Sequence, residues 1–134
     1  MRHFTPDEAN AALADVRPLV ERMVELRARH LEAIERQESL ERKIRGNGGS
    51  IAPAELAAAA QDVDEIAARL AATVDEIGEH GAQVKDPDTG LIDFPAVRRG
   101  ETVLLCWQLG EGEIEYWHRV EDGFAGRRPL PLDD

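Results

Sequence analysis

The stretch that decides the fold runs from Thr89 to Arg127 and reads TGLIDFPAVRRGETVLLCWQLGEGEIEYWHRVEDGFAGR. It holds the only cysteine, both tryptophans, the only tyrosine and two of the three phenylalanines of the chain. Its short segments are rich in β-branched and aromatic residues, which is typical of strands. The residues before it are mostly helix-forming. We therefore expect any functional site to lie in this stretch.

Proline and glycine divide the stretch into three predicted strands. The first covers Leu91–Pro95 and should stop at the proline, which has no backbone N–H to donate. The second, Thr102–Leu109, is rich in valine, leucine and tryptophan. The third, Glu113–Val120, contains isoleucine, tyrosine and tryptophan. Together they predict a small antiparallel sheet of about three strands.

The turn Gly110-Glu111-Gly112 sets which side chains of the second and third strands share a face. The favoured interpretation is a three-residue loop with Gly112 in the left-handed conformation, which glycine tolerates best. Cys106 then opposes Tyr116, and His118 lies on the same face as Cys106, within side-chain reach. A two-residue loop instead moves His118 to the opposite face, because a slip of one residue flips every side chain.

The N-terminal half of the chain predicts a long helix. The segment Thr5–Glu8 combines a capping threonine, a proline at the first helical position and a glutamate that completes a capping box. The apolar pattern continues to about Ile44. Pro18 removes a backbone donor and clashes with the preceding turn, so we expect a kink or short break near Asp15–Arg17.

A second helix is predicted from Pro53 to about His80, after a glycine-rich linker at Gly46–Ser50. Its apolar and small residues recur at steps of three and four, which is a heptad seam. The seam consists of Leu56, Ala59, Val63, Ile66, Leu70, Thr73 and Ile77. Two long helices joined by a short turn predict an antiparallel hairpin. The C-terminal segment or another subunit must then cover the apolar surface that two helices leave open.

The predicted fold is therefore α+β, with a long antiparallel helical hairpin, kinked near Pro18, and a small C-terminal antiparallel sheet. An all-α fold with an irregular tail is the alternative. We expect residues 1–134 to form one domain. Within it, residues 1–80 form the hairpin, residues 81–128 a β-rich motif region, and residues 129–134 a frayed tail.

Charge and cysteine content narrow the classes of function. The chain has 16 basic and 27 acidic residues, a net charge of −11, which disfavours binding to nucleic acid or to anionic membranes. One cysteine cannot form an intrachain disulfide, so a reducing cytosol is expected. No window approaches the roughly 20 apolar residues of a membrane span. The sequence therefore predicts a cytoplasmic protein with no membrane partner.

Four residues of the β-rich region form a candidate metal site. In the favoured register Cys106 and His118 are neighbours, and Asp93 on the preceding strand and Glu111 at the turn can add oxygen ligands. A set of thiolate, imidazole and carboxylate ligands suits zinc or iron. A Cys–His pair can also serve as nucleophile and base. The alternative is that Cys106 is simply a small buried hydrophobic residue.

The aromatic residues of the same region form a candidate interaction surface. Trp107, Trp117, Phe124 and Arg127 can present rings and a guanidinium group to a partner or ligand. Core packing of the two tryptophans is the alternative. Arg127 can clamp a carboxylate or phosphate, or it can pair with an acidic residue of the chain.

Several motifs carry a resemblance to a known family. They are Phe4-Thr5, Glu8–Asn10, Gly90–Pro95, Leu105–Trp107, Gly110-Glu111, Trp117-His118 and Gly123–Arg127. Together they resemble the signature of a small bacterial family, domain of unknown function 2203. The resemblance covers nearly the whole chain. It implies a cytosolic bacterial protein with a helical hairpin and a C-terminal motif region, and it implies no particular activity or catalytic residue.

Two functions follow from these features. The first is a non-enzymatic interaction or scaffold module that binds a protein partner or forms a homo-oligomer, because the helices are rich in Ala and Glu and carry no catalytic motif. The alternative is a transition-metal-binding or small enzymatic domain that uses the Cys/His/carboxylate cluster on the C-terminal sheet.

Overall fold

The computed structural model describes residues 1–47 and 51–132, and it contains two long helices followed by an antiparallel sheet. The helices are α1, Pro6–Asn47, and α2, Pro53–Glu79. The strands are β1 Gln83–Asp86, β2 Leu91–Arg98, β3 Glu101–Gln108, β4 Tyr116–Arg119 and β5 Arg128–Pro129. The predicted α+β fold is therefore confirmed. Of the predicted linker Gly46–Ser50, the first two residues belong to α1, and residues 48–50, like residues 133–134, lie outside the described residues.

The chain divides into two compact units. The sheet unit consists of Met1–Val24 together with the chain from Thr73 onward, and the hairpin unit consists of Glu25–Ala72. The expectation that residues 1–134 form one domain stays a prediction.

In the hairpin unit, the later part of α1 pairs with α2. The Arg36 guanidinium lies 3.6 Å from the Asp62 carboxylate. Because α2 begins only a few residues after α1 ends and Asp62 near its start meets Arg36 near the end of α1, the helices form the predicted antiparallel hairpin. Within residues 1–47 and 51–132, neither helix has a stretch long and apolar enough to cross a bilayer.

Pro18 does not interrupt α1. The helix continues as one element from Pro6 to Asn47 with Pro18 inside it, so the short break expected near Asp15–Arg17 is absent. A proline removes only one amide donor from a helix. The flanking Val16 and Val20 are fully buried, and their packing offsets that local loss.

The sheet has five strands in the order β1-β2-β3-β4-β5, all antiparallel, rather than the predicted three. The additional strands lie at its two edges. β1 has four residues, Gln83–Asp86, and β5 has only two, Arg128–Pro129. Both are too short and too polar to show the alternation by which strands are predicted.

β2 continues through Pro95 to Arg98, although the proline was expected to end it. The Pro95 carbonyl accepts a hydrogen bond from the Phe4 amide at 2.7 Å. Because the nitrogen and the carbonyl of one strand residue face the same edge, the Pro95 nitrogen points away from β3 and the ladder to Leu104 loses no donor.

The tail predicted to fray from residue 129 is partly ordered in the sheet. Pro129 pairs with Tyr116, and the Leu130 amide donates to the Glu115 carbonyl at 2.9 Å. The described chain continues to Leu132. The cause is the edge of β4, whose unpaired backbone groups accept the returning chain.

The favoured register of β3 and β4 is confirmed, but the loop between them differs from the prediction. Cys106 opposes Tyr116. Gly110, with φ 104°, has the left-handed conformation that was expected of Gly112. β4 begins only at Tyr116, because the intervening segment leaves the ladder and the Ile114 amide donates to Asn10 on α1 at 2.8 Å.

The start of α1 has the predicted capping box. The Thr5 hydroxyl accepts from the Glu8 amide at 3.1 Å, and the Glu8 carboxylate accepts from the Thr5 amide at 2.9 Å. These hydrogen bonds lower the pKa of Glu8. The cap directs Phe4 inward, where it is buried and packs edge-on against Phe94 of β2 at 5.1 Å between ring centroids.

Gly90 and Gly100 make a matched pair for testing how closely β2 packs against α1. Both have positive φ, 75° and 77°. A Cβ at Gly90 would lie 2.8 Å from the Leu109 Cβ and 2.9 Å from a Val20 methyl, whereas a Cβ at Gly100 would meet nothing within 4 Å.

We expect Gly100→Ala to lower the free energy of unfolding by about 1 kcal/mol, the cost of left-handed backbone for a residue with a Cβ. Gly90→Ala should lower it by roughly 1–3 kcal/mol more, because the added methyl overpacks the interior. Urea denaturation of the two variants measures the difference. Equal losses would show that the contact with Val20 and Leu109 relaxes freely.

Candidate functional site

The sheet has two chemically different faces, because side chains along a strand alternate from one face to the other. Phe94 and Trp107 lie on the face toward the N-terminal segment and α1. The Phe94 ring packs on Phe4, and the Arg17 guanidinium lies 5.3 Å from the centre of the Trp107 ring. This face supplies most of the core of the sheet unit.

The opposite face, called the site face below, brings Asp93, Cys106 and His118 together. Asp93 is directly opposite Cys106, and His118 opposes Leu104, two residues along β3 from Cys106. One carboxylate oxygen, the thiol sulfur and one imidazole nitrogen lie within 4.8 Å of one another. In the described part of the chain, no other group of three such side chains is this close. Three of the four predicted metal ligands therefore meet.

The hydrogen bonds of His118 fix the roles of its two nitrogens. Nδ1 lies 2.7 Å from the Arg119 carbonyl oxygen, which can only accept, so Nδ1 carries a hydrogen and donates it. Nε2 lies 3.1 Å from each carboxylate oxygen of Asp93. When the ring is neutral, Nε2 carries a lone pair and is an acceptor. It then faces the two carboxylate oxygens of Asp93, which are acceptors as well. The contact therefore needs either a proton shared by the ring and the carboxyl group or a metal ion between them.

The cluster is almost completely removed from solvent. The side chains of His118 and Asp93 are 3% and 2% exposed, and Cys106 is fully buried. Burial, and next the charge of Asp93, raise the pKa of the Cys106 thiol to about 12. Without a cation, burial therefore keeps Cys106 a neutral thiol at physiological pH.

Glu111, the fourth predicted ligand, lies beside the cluster and does not join it. Its carboxylate accepts a hydrogen bond from the Gln108 amide at 2.7 Å and two from Arg127, at 2.7 and 2.8 Å. These donors already engage both oxygens. Of the two roles considered for Arg127, pairing with an acidic residue is the one observed.

Arg127 fastens the covering loop, residues 120–127, onto the site face. Its guanidinium lies 4.1 Å from the centre of the Tyr116 ring and 4.6 Å from that of Phe124. Tyr116 stands next to Cys106 in the sheet register. The Glu111–Arg127 pair thus ties the loop to the β3–β4 turn beside the buried thiol.

The proposed aromatic surface is not exposed as a whole. Trp107 is 0% exposed and Trp117 is 2% exposed, so both pack in the interior. This is the core packing that was considered as the alternative to an exposed surface. The Trp107 indole nitrogen donates to the Gly112 carbonyl at 2.9 Å. Phe124 is 45% exposed, and Arg127 is partly buried. Of the four predicted surface residues, only Phe124 presents a large apolar side chain to solvent.

A cavity of about 140 Å³ lies over the site face between the sheet and the covering loop. Asp93 and His118 of the cluster line it, together with residues from β1, β2, β3 and the covering loop. These others are Lys85, Leu91, Leu104, Val120, Gly123 and Phe124. Cys106 does not line the cavity, so the cluster is approached from the Asp93–His118 side.

Sequence reasoning missed Lys85 because it missed β1. The only signal in that segment is the alternation of Ala82 and Val84 with Gln83 and Lys85, which is too short to identify a strand. Lys85 lies at the irregularity of β1 between Val84 and Asp86, and its side chain lines the cavity over the site face.

Thiol labelling tests the burial of Cys106. In chelator-treated protein at pH 8, we expect an aromatic disulfide reagent to label Cys106 at least about 100-fold more slowly than in urea, because a buried thiol of raised pKa is scarcely ionised. The unfolded chain should release one equivalent of reporter. Comparable rates in the two states would contradict the described environment.

Comparison with known proteins gives one match. A family model described as "Uncharacterized conserved protein (DUF2203)" matches residues 2–130. No curated protein and no solved structure matches the chain.

Proposed function

The chain belongs to the uncharacterized DUF2203 family, and we propose that Asp93, Cys106 and His118 form a binding site for a divalent transition metal ion, best satisfied by zinc. One observation carries the proposal. The His118 Nε2 faces the Asp93 carboxylate while Nδ1 already donates to the Arg119 carbonyl. A cation between Nε2 and the carboxylate resolves the meeting of two acceptors.

The donor set favours zinc over the hard cations. A thiolate, an imidazole and a carboxylate are one soft, one borderline and one hard ligand, and zinc accepts all three. Magnesium and calcium prefer oxygen ligands throughout. Iron(II) accepts the same three groups as zinc and is the second choice.

The distances support a site that needs only a small adjustment. With bonds of roughly 2.0–2.3 Å, a tetrahedral zinc ion holds its ligand atoms about 3.5 Å apart. The three ligand atoms here lie within 4.8 Å of one another, and Nε2 lies 3.1 Å from the carboxylate. The longest separation therefore exceeds the tetrahedral spacing by roughly 1 Å at most.

The surroundings resemble those of known metal ligands. A metal-bound histidine usually donates its second ring N–H to a carbonyl or carboxylate, which fixes the tautomer. Arg119 supplies such a carbonyl to His118. On binding, the metal replaces the proton of Cys106, so uptake releases protons. Three protein ligands beside a cavity correspond to the class of zinc site that keeps a position for water or substrate.

Metal content tests the proposal directly. Protein purified without a histidine tag should contain close to one equivalent of metal, or take up one equivalent of added Zn²⁺ after chelator treatment. Asp93→Asn, Cys106→Ser and His118→Gln should each weaken the binding by at least about 10-fold, because each removes or weakens one ligand. Elemental analysis and competition with a chromogenic chelator measure these effects.

His80→Gln is the matched control, because His80 directly follows α2 and lies outside the cluster. This variant should bind metal as the unmodified protein does. If the unmodified protein neither contains nor takes up metal, His118 and Asp93 share a proton, and the cluster is a buried hydrogen-bonded pair with a structural role.

The hairpin unit supports the interaction module as a second candidate, with a second copy of the chain as the partner. A groove of about 220 Å³ runs between its helices, with Ala33 and Ala59 among the lining residues. Arg29, Glu32, Arg36 and Asp62 supply two positive and two negative charges to the same groove. Mixed charges of this kind could pair across a two-fold axis, where each copy presents the same surface to the other.

Light scattering tests this candidate. We expect a dimer at low salt that weakens as salt is added, because its exposed charges are screened. Arg29→Glu should shift the protein toward monomer by leaving like charges opposed. Arg45→Glu, an exposed position near the end of α1, should not. A monomer at every concentration and salt level would rule out the second copy as partner.

A further inference from the structure

The cavity over the site face combines polar groups with apolar walls. Lys85 on β1 supplies a cationic side chain, and Asp93 and His118 supply the cluster. Leu91, Leu104 and the loop residues Val120 and Phe124 supply apolar surface. A few polar groups within an apolar wall are the lining that is typical of small-molecule sites.

We propose that this cavity binds a small monocarboxylate with a short apolar chain, whose carboxylate binds the metal ion of the proposed function and is neutralised by Lys85. The inference rests on that proposed function. It adds the chemical class of the ligand that occupies the remaining coordination position.

The net charge of the cavity and the metal centre favours a ligand that carries one negative charge. A divalent metal with the Asp93 carboxylate, the Cys106 thiolate and the neutral His118 ring makes a centre of no net charge. Among residues 1–47 and 51–132, Lys85 is the cationic side chain that lines this cavity, so cavity and centre together carry one positive charge. One carboxylate balances it. A second carboxylate would lie uncompensated within a protein of net charge −11.

Volume limits the size of the ligand. A cavity of about 150 Å³ holds benzene, which has six non-hydrogen atoms. The present cavity of about 140 Å³ therefore suits a molecule of about that size. Butyrate has the same number of non-hydrogen atoms, with an apolar chain for the leucine and phenylalanine walls. Acetate leaves the walls uncovered, and a chain of eight carbons exceeds the volume.

The experiment uses the full chain loaded with Co²⁺, whose visible spectrum reports a change of ligand at the metal. Loading is verified first by elemental analysis. Butyrate is then titrated, with acetate, octanoate, succinate and butylamine as comparisons, and isothermal calorimetry records the same titrations. We expect butyrate to change the spectrum and to bind at least about 10-fold more tightly than acetate, since each buried methylene contributes about 0.8 kcal/mol.

Lys85 and Lys43 are the two lysines of the chain, and they provide a variant and its control. Lys85→Met should weaken butyrate at least about 5-fold without changing the metal content, because it removes one cation near the carboxylate. Lys43→Met, in the hairpin unit, should leave butyrate binding unchanged.

The outcomes separate the two proposals. A protein that loads Co²⁺ but shows neither heat nor a spectral change with butyrate overturns the ligand and leaves the metal site standing. Succinate or butylamine binding as tightly as butyrate overturns the monocarboxylate class. Equal effects of Lys85→Met and Lys43→Met overturn the role of Lys85. Failure to load metal overturns the proposed function, and the ligand inference with it.

Discussion

The two-residue period of the antiparallel sheet is the constraint on which the rest of the structure depends. It sends Phe94 and Trp107 to one side, where they pack toward α1, and Asp93, Cys106 and His118 to the other. A slip of one residue in any strand would bury the polar groups against the helix and expose the aromatic ones. The register that builds the core therefore also assembles the cluster.

The buried polar groups have a cost that their neighbours must offset. A carboxylate taken out of water is strongly disfavoured unless it is paired and hydrogen-bonded. Asp93 has His118 as its partner, and His118 in turn donates to the Arg119 carbonyl. Beside them, Glu111 and Arg127 satisfy each other's charge. The sheet thus carries two adjacent polar systems, one buried and one at the edge of the covering loop.

Much of this was predictable from the sequence. The capping box at Thr5–Glu8 and the long helices follow from local patterns that tertiary contacts reinforce. The register was predicted correctly although Gly110, and not Gly112, has the left-handed conformation. The prediction rested on the glycine-containing turn, because β3 is a continuous buried run with no alternation that could choose between the two registers. The sequence therefore predicts that Asp93, Cys106 and His118 lie together.

The parts that could not be predicted depend on long-range contacts. β1 and β5 exist because neighbouring strands offer them hydrogen bonds, and nothing in four residues or two residues specifies a strand alone. Pro95 continues β2 because its nitrogen faces Phe4 and not β3. Glu111 was expected at the cluster. Its carboxylate instead accepts hydrogen bonds from Arg127, which is sixteen residues away in the sequence. Lys85 was not predicted at the cavity for the same reason, because its position depends on the pairing of β1 with β2.

The two short edge strands also decide how this sheet meets other proteins. β5 is two residues long and includes a proline, and β1 is four residues long, irregular between Val84 and Asp86, and carries Lys85. Short length, proline, irregular pairing and an edge lysine are the features that prevent an incoming chain from extending a sheet. Neither edge is therefore a template for strand addition, which protects the fold against edge-to-edge aggregation. Recognition at the sheet must proceed through side chains rather than through backbone pairing.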